Sequence, residues 1–176
     1  MNNLIGLTKG QSALIDNDPW EIAEEPQYRK DGENTGHWIL PLADWLEHCQ
    51  QTDTYQGSQA QTGVLLDPED DPEILAEWVG QIPLIALQFH SFRDGRAYSQ
   101  AFLLRARMGF KGDLRAVGEV LRDQLVHMRH CGFTSFAVRK DKSAADALKG
   151  LTGFDMIYSR SVTTPEPLFR RRGGAK

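Results

Sequence analysis

PLIALQF, residues 83–89, is a nearly continuous apolar run. Such a run is typical of a β-strand covered on both faces, which occurs mainly in parallel sheets flanked by helices. Short apolar segments and segments with helical periodicity alternate on both sides of it, from Gly63 onward. The run therefore predicts an α/β fold built on a mostly parallel sheet.

The alternation extends over most of the chain. Predicted strands lie at 64–66, 83–89, 114–117, 133–138 and 154–158, and predicted helices at 72–79, 95–108, 119–131 and 143–148. Neighbouring parallel strands cannot be joined by a tight turn, so each helix is interpreted as a right-handed crossover. Two architectures remain open: an open doubly wound sheet, and a curved part-barrel that a second subunit could complete.

The N-terminal third reads differently from the rest. The first 35 residues predict an irregular arm or an edge hairpin, and a short strand at 37–40 precedes a helix with Pro41 in its first turn. We expect one structural domain, with residues 1–62 as an arm and helix packed on the core. Residues 63–176 form the α/β core and a basic C-terminal tail.

Composition excludes several classes of protein. The 176 residues carry a formal net charge of −4, which argues against general nucleic-acid binding through the phosphate backbone. The sequence shows no long apolar run or export signal, so neither a membrane span nor secretion is predicted. Its two cysteines are far apart, which favours a reducing cytoplasm over a disulfide scaffold.

One basic cluster stands out on this acidic chain. Within thirty residues it contains Arg93, Arg96, Arg105, Arg107, Lys111, Arg115 and Arg122. A local positive field of this size suits a small anion better than a polymer.

HSFRDGR, residues 90–96, links the strongest strand to a predicted helix N-terminus. Arg93 and Arg96 could form a bidentate fork on sulfite, sulfate, phosphate or a carboxylate, aided by free backbone N–H groups. Asp94 is the candidate catalytic acid or base, and His90 could contact the anion or transfer protons. The alternative is structural, with Asp94 as a helix cap and both arginines in solvated ion pairs.

Arg115 is a charge inside an apolar strand and therefore needs a partner. Asp94, Glu119 or Asp123 could form an ion pair with it, or it could contact a ligand directly. Arg122 could join the same network. The predicted anion-binding set, on loops at the carboxyl ends of the strands, comprises His90, Arg93, Arg96, Arg115 and Arg122.

No metal site or cofactor is predicted. His127 and His130 are three residues apart on a helix, without a third ligand at a recognisable spacing. Cys131 lies at a helix C-terminus, where the dipole raises a thiol pKa and disfavours a nucleophile. Glycine-rich nucleotide motifs and the GxSxG motif do not occur in the sequence, so it identifies no cofactor.

Several motifs together resemble a bacterial family, domain of unknown function 934. They are GVLLDP at 63–68, RDGRAYSQA at 93–101, LRARMGFKGDLRAVG at 104–118, RDQ at 122–124 and CGF at 131–133. The likeness covers about residues 60–140 and, more loosely, PLFR at 167–170. In one departure, His90-Ser91 stands where the family usually shows a proline–lysine-like pair.

The resemblance implies a role in sulfur assimilation. The family is labelled a probable oxidoreductase of sulfite reduction, because its genes lie beside the sulfite reductase haemoprotein gene. Sulfite reduction needs six electrons, and this sequence shows no cysteine set for an iron–sulfur cluster and no flavin or nicotinamide fingerprint. The resemblance therefore implies an accessory protein that binds a small oxyanion or docks a partner, the haemoprotein, through an arginine-rich rim.

Two other functions remain open. One is a small enzyme acting on an anionic substrate, with Asp94 as acid or base and the arginines as clamps. The other is a structural interaction module, a homodimer in which the arginines serve the fold.

Overall fold

The computed structural model describes residues 3–8, 11–23, 36–51, 62–151, 160–167 and 169–170. These residues form one eight-stranded sheet, in the order β2-β1-β8-β7-β6-β5-β4-β3. The strands are β1 (Leu4–Thr8), β2 (Gln11–Ile15), β3 (Trp20–Ile22), β4 (His37–Pro41), β5 (Thr62–Leu66), β6 (Leu84–Phe89), β7 (Asp113–Gly118) and β8 (Ser135–Ala137). Strands β3 to β8 run parallel, and β1 is antiparallel to both neighbours. The predicted mostly parallel α/β sheet is confirmed.

Helices cover one face of this sheet. They are α1 (Leu42–Gln51), α2 (Arg96–Phe102), α3 (Leu125–Cys131) and α4 (Ala144–Leu148), and a π-helical turn at Leu103–Arg107 extends α2. Their apolar residues join one strand face in the main core. The second buried cluster, Ile39, Leu84, Ala86 and Val117, contains strand residues only and lies on the opposite face. Of the two predicted architectures, the curled part-barrel is therefore the one observed.

The connection from β2 to β3 requires the sheet to curl. Ile15 ends β2 and Trp20 begins β3, yet these strands lie at opposite edges of the sheet. Five Cα steps span at most about 19 Å. In a flat sheet, seven strand spacings would separate the two strands by about 34 Å. Residues 16–19 can join them only because the two edges approach each other.

The expected edge hairpin is formed by β1 and β2, which pair from Leu4↔Ile15 to Thr8↔Gln11. Strand β3 was not predicted, because three residues are too few for a periodicity to show. At β4, Pro41 is the last strand residue and α1 begins one residue later, at Leu42. The N-terminal segment therefore supplies strands to both edges of the sheet.

The helix predicted over 72–79 is wrong. Asp71 caps the segment as expected, since its Oδ1 accepts a hydrogen bond from Glu73 N at 2.9 Å. Only a 3₁₀ turn follows, at Pro72–Leu75, and Trp78 N bonds to Leu75 O three residues back at 3.0 Å. Ile74, an apolar residue of the predicted helix, is 47% exposed. Of residues 72–79, Pro72 and Leu75 are buried and Trp78 and Val79 are half-buried, which is too little apolar contact to hold a full helix.

For the helix predicted over 119–131, the predicted start at Glu119 is also wrong. Gly118 has φ +91°, and Leu121 is extended, so neither continues a helix. Gln124 Oε1 accepts a hydrogen bond from Leu121 N at 3.0 Å and fixes the start of a 3₁₀ turn at Arg122. Helix α3 then ends as predicted at Gly132, with φ +106°. The predicted strand 154–158 lies outside the described residues.

Candidate functional site

The carboxyl ends of β5, β6, β7 and β8 lie along one edge, because these strands are parallel neighbours. We call the loops that follow them, residues 67–71, 90–96, 119–121 and 138–143, the carboxyl rim. Phe89 pairs with Gly118, so the loops after β6 and β7 leave the sheet at the same level. The stretch 90–96 therefore lies on the rim, where the sequence placed it.

Asp67 and His90 are in direct contact across two neighbouring rim loops. Asp67 Oδ2 lies 2.5 Å from His90 Nε2, and both side chains are about half exposed. The loop of Asp67 is anchored from below by Gln100, whose Nε2 donates to the carbonyls of Asp67 and Asp70 at 2.9 Å each. A carboxylate thus orients an imidazole that solvent can reach, which is an arrangement suited to proton transfer.

Arg96 is engaged by two carboxylates. Its Nε and Nη2 donate to Asp94 at 3.0 and 2.6 Å, and its Nη1 lies 2.5 Å from Glu69 Oε1. These bonds, first those to Asp94, raise the pKa of Arg96. Two carboxylates already offset the charge of this guanidinium, so it attracts an added anion only weakly.

Asp94 is correspondingly held as a carboxylate. Hydrogen bonds from the Arg96 side chain and backbone lower its pKa to about 2. It carries no proton at neutral pH, so its predicted role as a general acid loses support. The structural alternative is supported in part, because Asp94 Oδ1 accepts a hydrogen bond from the backbone N of Arg96, the first residue of α2, at 3.1 Å, although Gly95 occupies the N-cap position.

Arg93 differs from the other predicted arginines. It is exposed and makes no hydrogen bond or ion pair within the part of the chain that the structure describes. Its neighbour Phe92 is 54% exposed. The tip of the loop after β6 therefore presents an aromatic ring and an uncompensated positive charge to solvent.

Arg115 is buried on the concave face, away from the carboxyl rim. Its Nη1 lies 2.6 Å from Asp18 Oδ2, and its Nη2 lies 3.1 Å from Asp113 Oδ2. Its Nε donates to Ser135 Oγ at 3.1 Å. The predicted ion pair exists, but its partners are not Asp94, Glu119 or Asp123, because Arg115 sits near the amino end of β7 and points inside the curl.

Arg122 lies beside the rim and contacts Asp146 at the start of α4, with Nη1 3.1 Å from Oδ2. Both side chains are more than half exposed. This contact lowers the pKa of Asp146, after a larger effect from Lys149. Arg122 therefore links the 3₁₀ turn before α3 to helix α4, and it does not face Arg93 or Arg96.

The four predicted arginines do not converge on one hollow. Arg115 is buried inside the half-barrel, and Arg96 and Arg122 are paired with carboxylates. Arg93 is exposed on its loop, away from the other three. The notion of an arginine-rich rim that holds one small anion is thus weakened by where the partners lie. His90 remains on the rim, but its contact is a carboxylate.

Arg139, which the sequence analysis missed, is a further rim arginine. Its Nη1 lies 2.7 Å from Glu119 Oε2, and its Nε lies 2.6 Å from Asp141 Oδ1. It borders a hollow of about 1140 Å³ at the carboxyl mouth of the curl, between the ends of β3, β7 and β8. Glu21, Glu119 and Asp141 share this lining with Arg139 and Lys140, so the mouth has mixed charge.

The remaining candidate groups point to no further chemistry. Within the described ranges, no three His, Cys, Asp or Glu side chains are grouped as metal ligands would be. Burial raises the pKa of the Cys131 thiol to about 11, which disfavours the nucleophilic thiolate. None of the helices in the described part of the chain is long and apolar enough to cross a bilayer.

The fold and the rim define an α/β half-barrel protein with a mixed-charge surface at the carboxyl ends of its parallel strands. A family model described as "Bacterial protein of unknown function (DUF934)" matches residues 63–169, and the chain belongs to this family. The resemblance drawn from the sequence motifs is thereby confirmed. Comparisons with curated proteins and with solved structures find no match to the chain.

Proposed function

We propose that this protein is a cytoplasmic accessory of assimilatory sulfite reduction that docks a partner protein through the loop after β6. The observation that carries the proposal is the exposed pair at the tip of this loop. Phe92 is 54% exposed, and Arg93 is exposed without a partner among the described residues. Aromatic residues and arginine are the types most enriched at protein interfaces.

The surroundings of this pair favour docking over capture of a small oxyanion. Arg96 and Arg139 on the same rim are each bonded to two carboxylates. An oxyanion would have to displace these carboxylates, whereas a protein surface can cover the paired charges and bind the exposed ring. Phe92 and Arg93 thus form the centre of the proposed interface.

The proposed partner is the sulfite reductase haemoprotein, which the family resemblance indicates. Binding of the purified haemoprotein is measured at low ionic strength, because exposed charges are screened by salt. We expect Phe92→Ser and Arg93→Glu each to weaken binding by about tenfold or more. Matched controls are Phe102→Ser, a 40% exposed phenylalanine at the far end of α2, and the exposed Arg107→Glu.

Two outcomes would overturn the proposal. One is wild-type protein that does not bind the haemoprotein, and the other is an equal loss in the control variants. Sedimentation of the protein alone distinguishes the structural interaction module from the reductase accessory. A homodimer that Phe92→Ser converts to a monomer would favour the structural interaction module over the reductase accessory.

The Asp67–His90 contact favours a second candidate function, an enzyme acting on a small anionic substrate. Asp67 would orient the imidazole, and His90 would replace Asp94 as the acid or base, because a carboxyl with a pKa of about 2 holds no proton to donate. On another loop of the same rim, the exposed Lys140 would supply an anion contact.

A metabolite extract incubated with the protein and followed by mass spectrometry tests this candidate. The wild type should consume an anionic metabolite, His90→Gln should not, and Asp94→Asn should retain most of the activity. Consumption that survives His90→Gln, or that is lost only in Asp94→Asn, contradicts the assignment to His90.

A further inference from the structure

A second hollow, of about 430 Å³, lies at the amino end of the sheet, opposite the carboxyl rim. It is enclosed by the turn after α2, by the residues that precede β7 and β8, and by the segment 160–165. The lining described for it includes three basic side chains and no carboxylate: Arg105, Lys111 and Arg160. The charged residues of this lining are therefore all basic, whereas the lining of the carboxyl mouth carries both signs of charge.

Arg105 is held in place entirely by neutral oxygens. Its Nε donates to Gly132 O at 2.8 Å, its Nη1 to Phe110 O at 2.7 Å, and its Nη2 to Thr134 Oγ1 at 3.3 Å. No ion pair to Arg105 occurs among the described residues, although Arg96, Arg115, Arg122 and Arg139 all have one. The positive charge is thus fixed but not neutralised.

The guanidinium is also rigidly packed. It lies over the ring of Phe110, 5.0 Å from the centroid, and its stem fills the space beside Gly132. Three of its five N–H groups are used by the bonds to the protein, which leaves one on each terminal nitrogen for a ligand. A cation positioned in advance binds an oxyanion without first losing conformational freedom.

The other two basic residues can add charge from the open side. Lys111 and Arg160 are exposed and make no hydrogen bond or ion pair with any other described residue. Arg160 enters the hollow from a segment that is fixed on α3, because Val162 N donates to His130 O at 3.0 Å. Ser161 Oγ, which accepts from Thr164 N at 2.9 Å, holds the turn of this segment.

The carboxylate nearest to Arg105 is occupied elsewhere. Asp113 accepts hydrogen bonds from Thr134 Oγ1 at 2.7 Å and from Ser135 Oγ at 2.7 Å, and it also contacts Arg115. Asp113 therefore cannot turn toward the hollow without breaking the network on the concave face. Burial lowers the pKa of Arg105, and the charge of Asp113 opposes this effect only in part.

We infer that this hollow binds an organic anion that carries a phosphate or sulfate group beside an apolar part. Arg105 receives the oxyanion, while Lys111 and Arg160 flank it. The apolar wall, which includes Phe102, Phe110 and Val162, covers the remainder of the ligand. The volume exceeds what an inorganic oxyanion fills and falls in the range of small-molecule sites.

Calorimetric titration at low salt tests the inference with three probes: phenyl phosphate, inorganic phosphate and phenol. Phenyl phosphate should bind most tightly, inorganic phosphate more weakly, and phenol not at all. Lys111→Gln and Arg160→Gln should each weaken the binding of phenyl phosphate by about tenfold, since each removes a charged hydrogen bond to the ligand. Arg107→Gln, an exposed arginine outside the lining, should leave the affinity unchanged.

Arg105→Lys keeps the positive charge but loses the two guanidinium N–H groups that face the ligand. It should reduce the affinity for phenyl phosphate as strongly as Lys111→Gln or Arg160→Gln does. Thermal unfolding of each variant separates lost binding from lost folding. Failure of phenyl phosphate to bind the wild type, or equal losses in Arg107→Gln, would overturn the site. Because this hollow lies opposite the rim, either result leaves the docking of Phe92 and Arg93 a separate question.

Discussion

Asp18 and Arg115 form an ion pair inside the half-barrel, with Oδ2 2.6 Å from Nη1 and each side chain only 3% exposed. The two residues are 97 positions apart in the chain. Asp18 belongs to the four-residue connection that joins the two edge regions of the sheet, and Arg115 belongs to the central strand β7. The pair therefore fastens the connecting segment across the concave face.

Loss of either partner should destabilise the fold strongly. Asp18→Ala leaves a buried guanidinium with one fewer carboxylate, and we expect the free energy of unfolding to fall by about 3–5 kcal/mol. Asp146→Ala removes ion pairs to Arg122 and Lys149 in which every side chain is more than half exposed, so it should cost much less. Urea unfolding measures both variants, and similar losses in the two would contradict the role given to Asp18.

Gly132 is constrained both by its backbone and by Arg105. It has φ +106°, and an added Cβ would lie 2.5 Å from Arg105 Cγ. Gly109 has φ +73°, but an added Cβ there meets nothing within 4 Å. Gly109→Ala should therefore cost about 1–2 kcal/mol from the backbone alone, and Gly132→Ala about 1–3 kcal/mol more from the clash.

Thermal or urea unfolding measures this difference, and Gly80→Ala is the control because its Cβ would enter open space. Phenyl phosphate binding is the second readout. Gly132→Ala displaces the Arg105 stem and should weaken binding, whereas Gly109→Ala should not. Equal stability losses in Gly109→Ala and Gly132→Ala would mean that the packing against Arg105 is loose.

The parallel core could be predicted from the sequence because its signals are local. The run at 83–89 became β6, and the helices predicted over 95–108 and 119–131 end as expected, each before a glycine of positive φ, Gly109 or Gly132. The choice between an open sheet and a curved part-barrel could not be made from the sequence, since the curl depends on the short connection 16–19 and on pairing between segments far apart in the chain. Periodicity reports which face of a strand is buried, not how the sheet bends.

The position of the loop 90–96 was predictable from the sequence, but the position of Arg115 and the charge balance of the site were not. HSFRDGR does lie on the carboxyl rim, but Arg96 pairs with Glu69 and Arg115 with Asp18, residues that no spacing rule connects to them. Arg139 could have been noticed as the first charge after the strand at 133–138. The basic cluster was genuine, but of its members without an ion pair among the described residues, Arg93 lies on the rim, whereas Arg105 and Lys111 lie at the other end of the sheet.

Gln100 should act as the anchor of the loop that carries Asp67. It is 6% exposed, and its Nε2 donates to Asp67 O and Asp70 O at 2.9 Å each. Gln100→Leu leaves both carbonyls without this donor, so we expect a loss of about 1–3 kcal/mol in the free energy of unfolding. The same change in the exposed Gln81 should have little effect.

Hydrogen exchange provides the more specific readout for Gln100. The amide of Asp70, which donates to Asp67 O at 3.0 Å, should exchange faster in Gln100→Leu than in the wild type. The amides of β6 should keep their protection relative to global unfolding. Uniform acceleration over the whole chain would show that Gln100 stabilises the fold without a particular effect on this loop.

The Asp94–Arg96 pair should appear in the acid titration of the protein. Hydrogen bonds from Arg96 lower the pKa of Asp94 from 3.8 to about 2, so the folded state binds this proton less readily than the unfolded chain. The pair therefore stabilises the fold fully above about pH 4, and this contribution disappears as the pH falls toward 2. Wild type and Asp94→Asn should differ in stability at pH 6 and converge near pH 2.

Carbon-13 NMR of the Asp94 carboxyl gives the direct measurement, with a midpoint near 2 that rises in Arg96→Gln and stays in place in Arg107→Gln. A wild-type midpoint at the ordinary value would mean that Arg96 does not hold Asp94, and Glu69 would then be the carboxylate that balances Arg96.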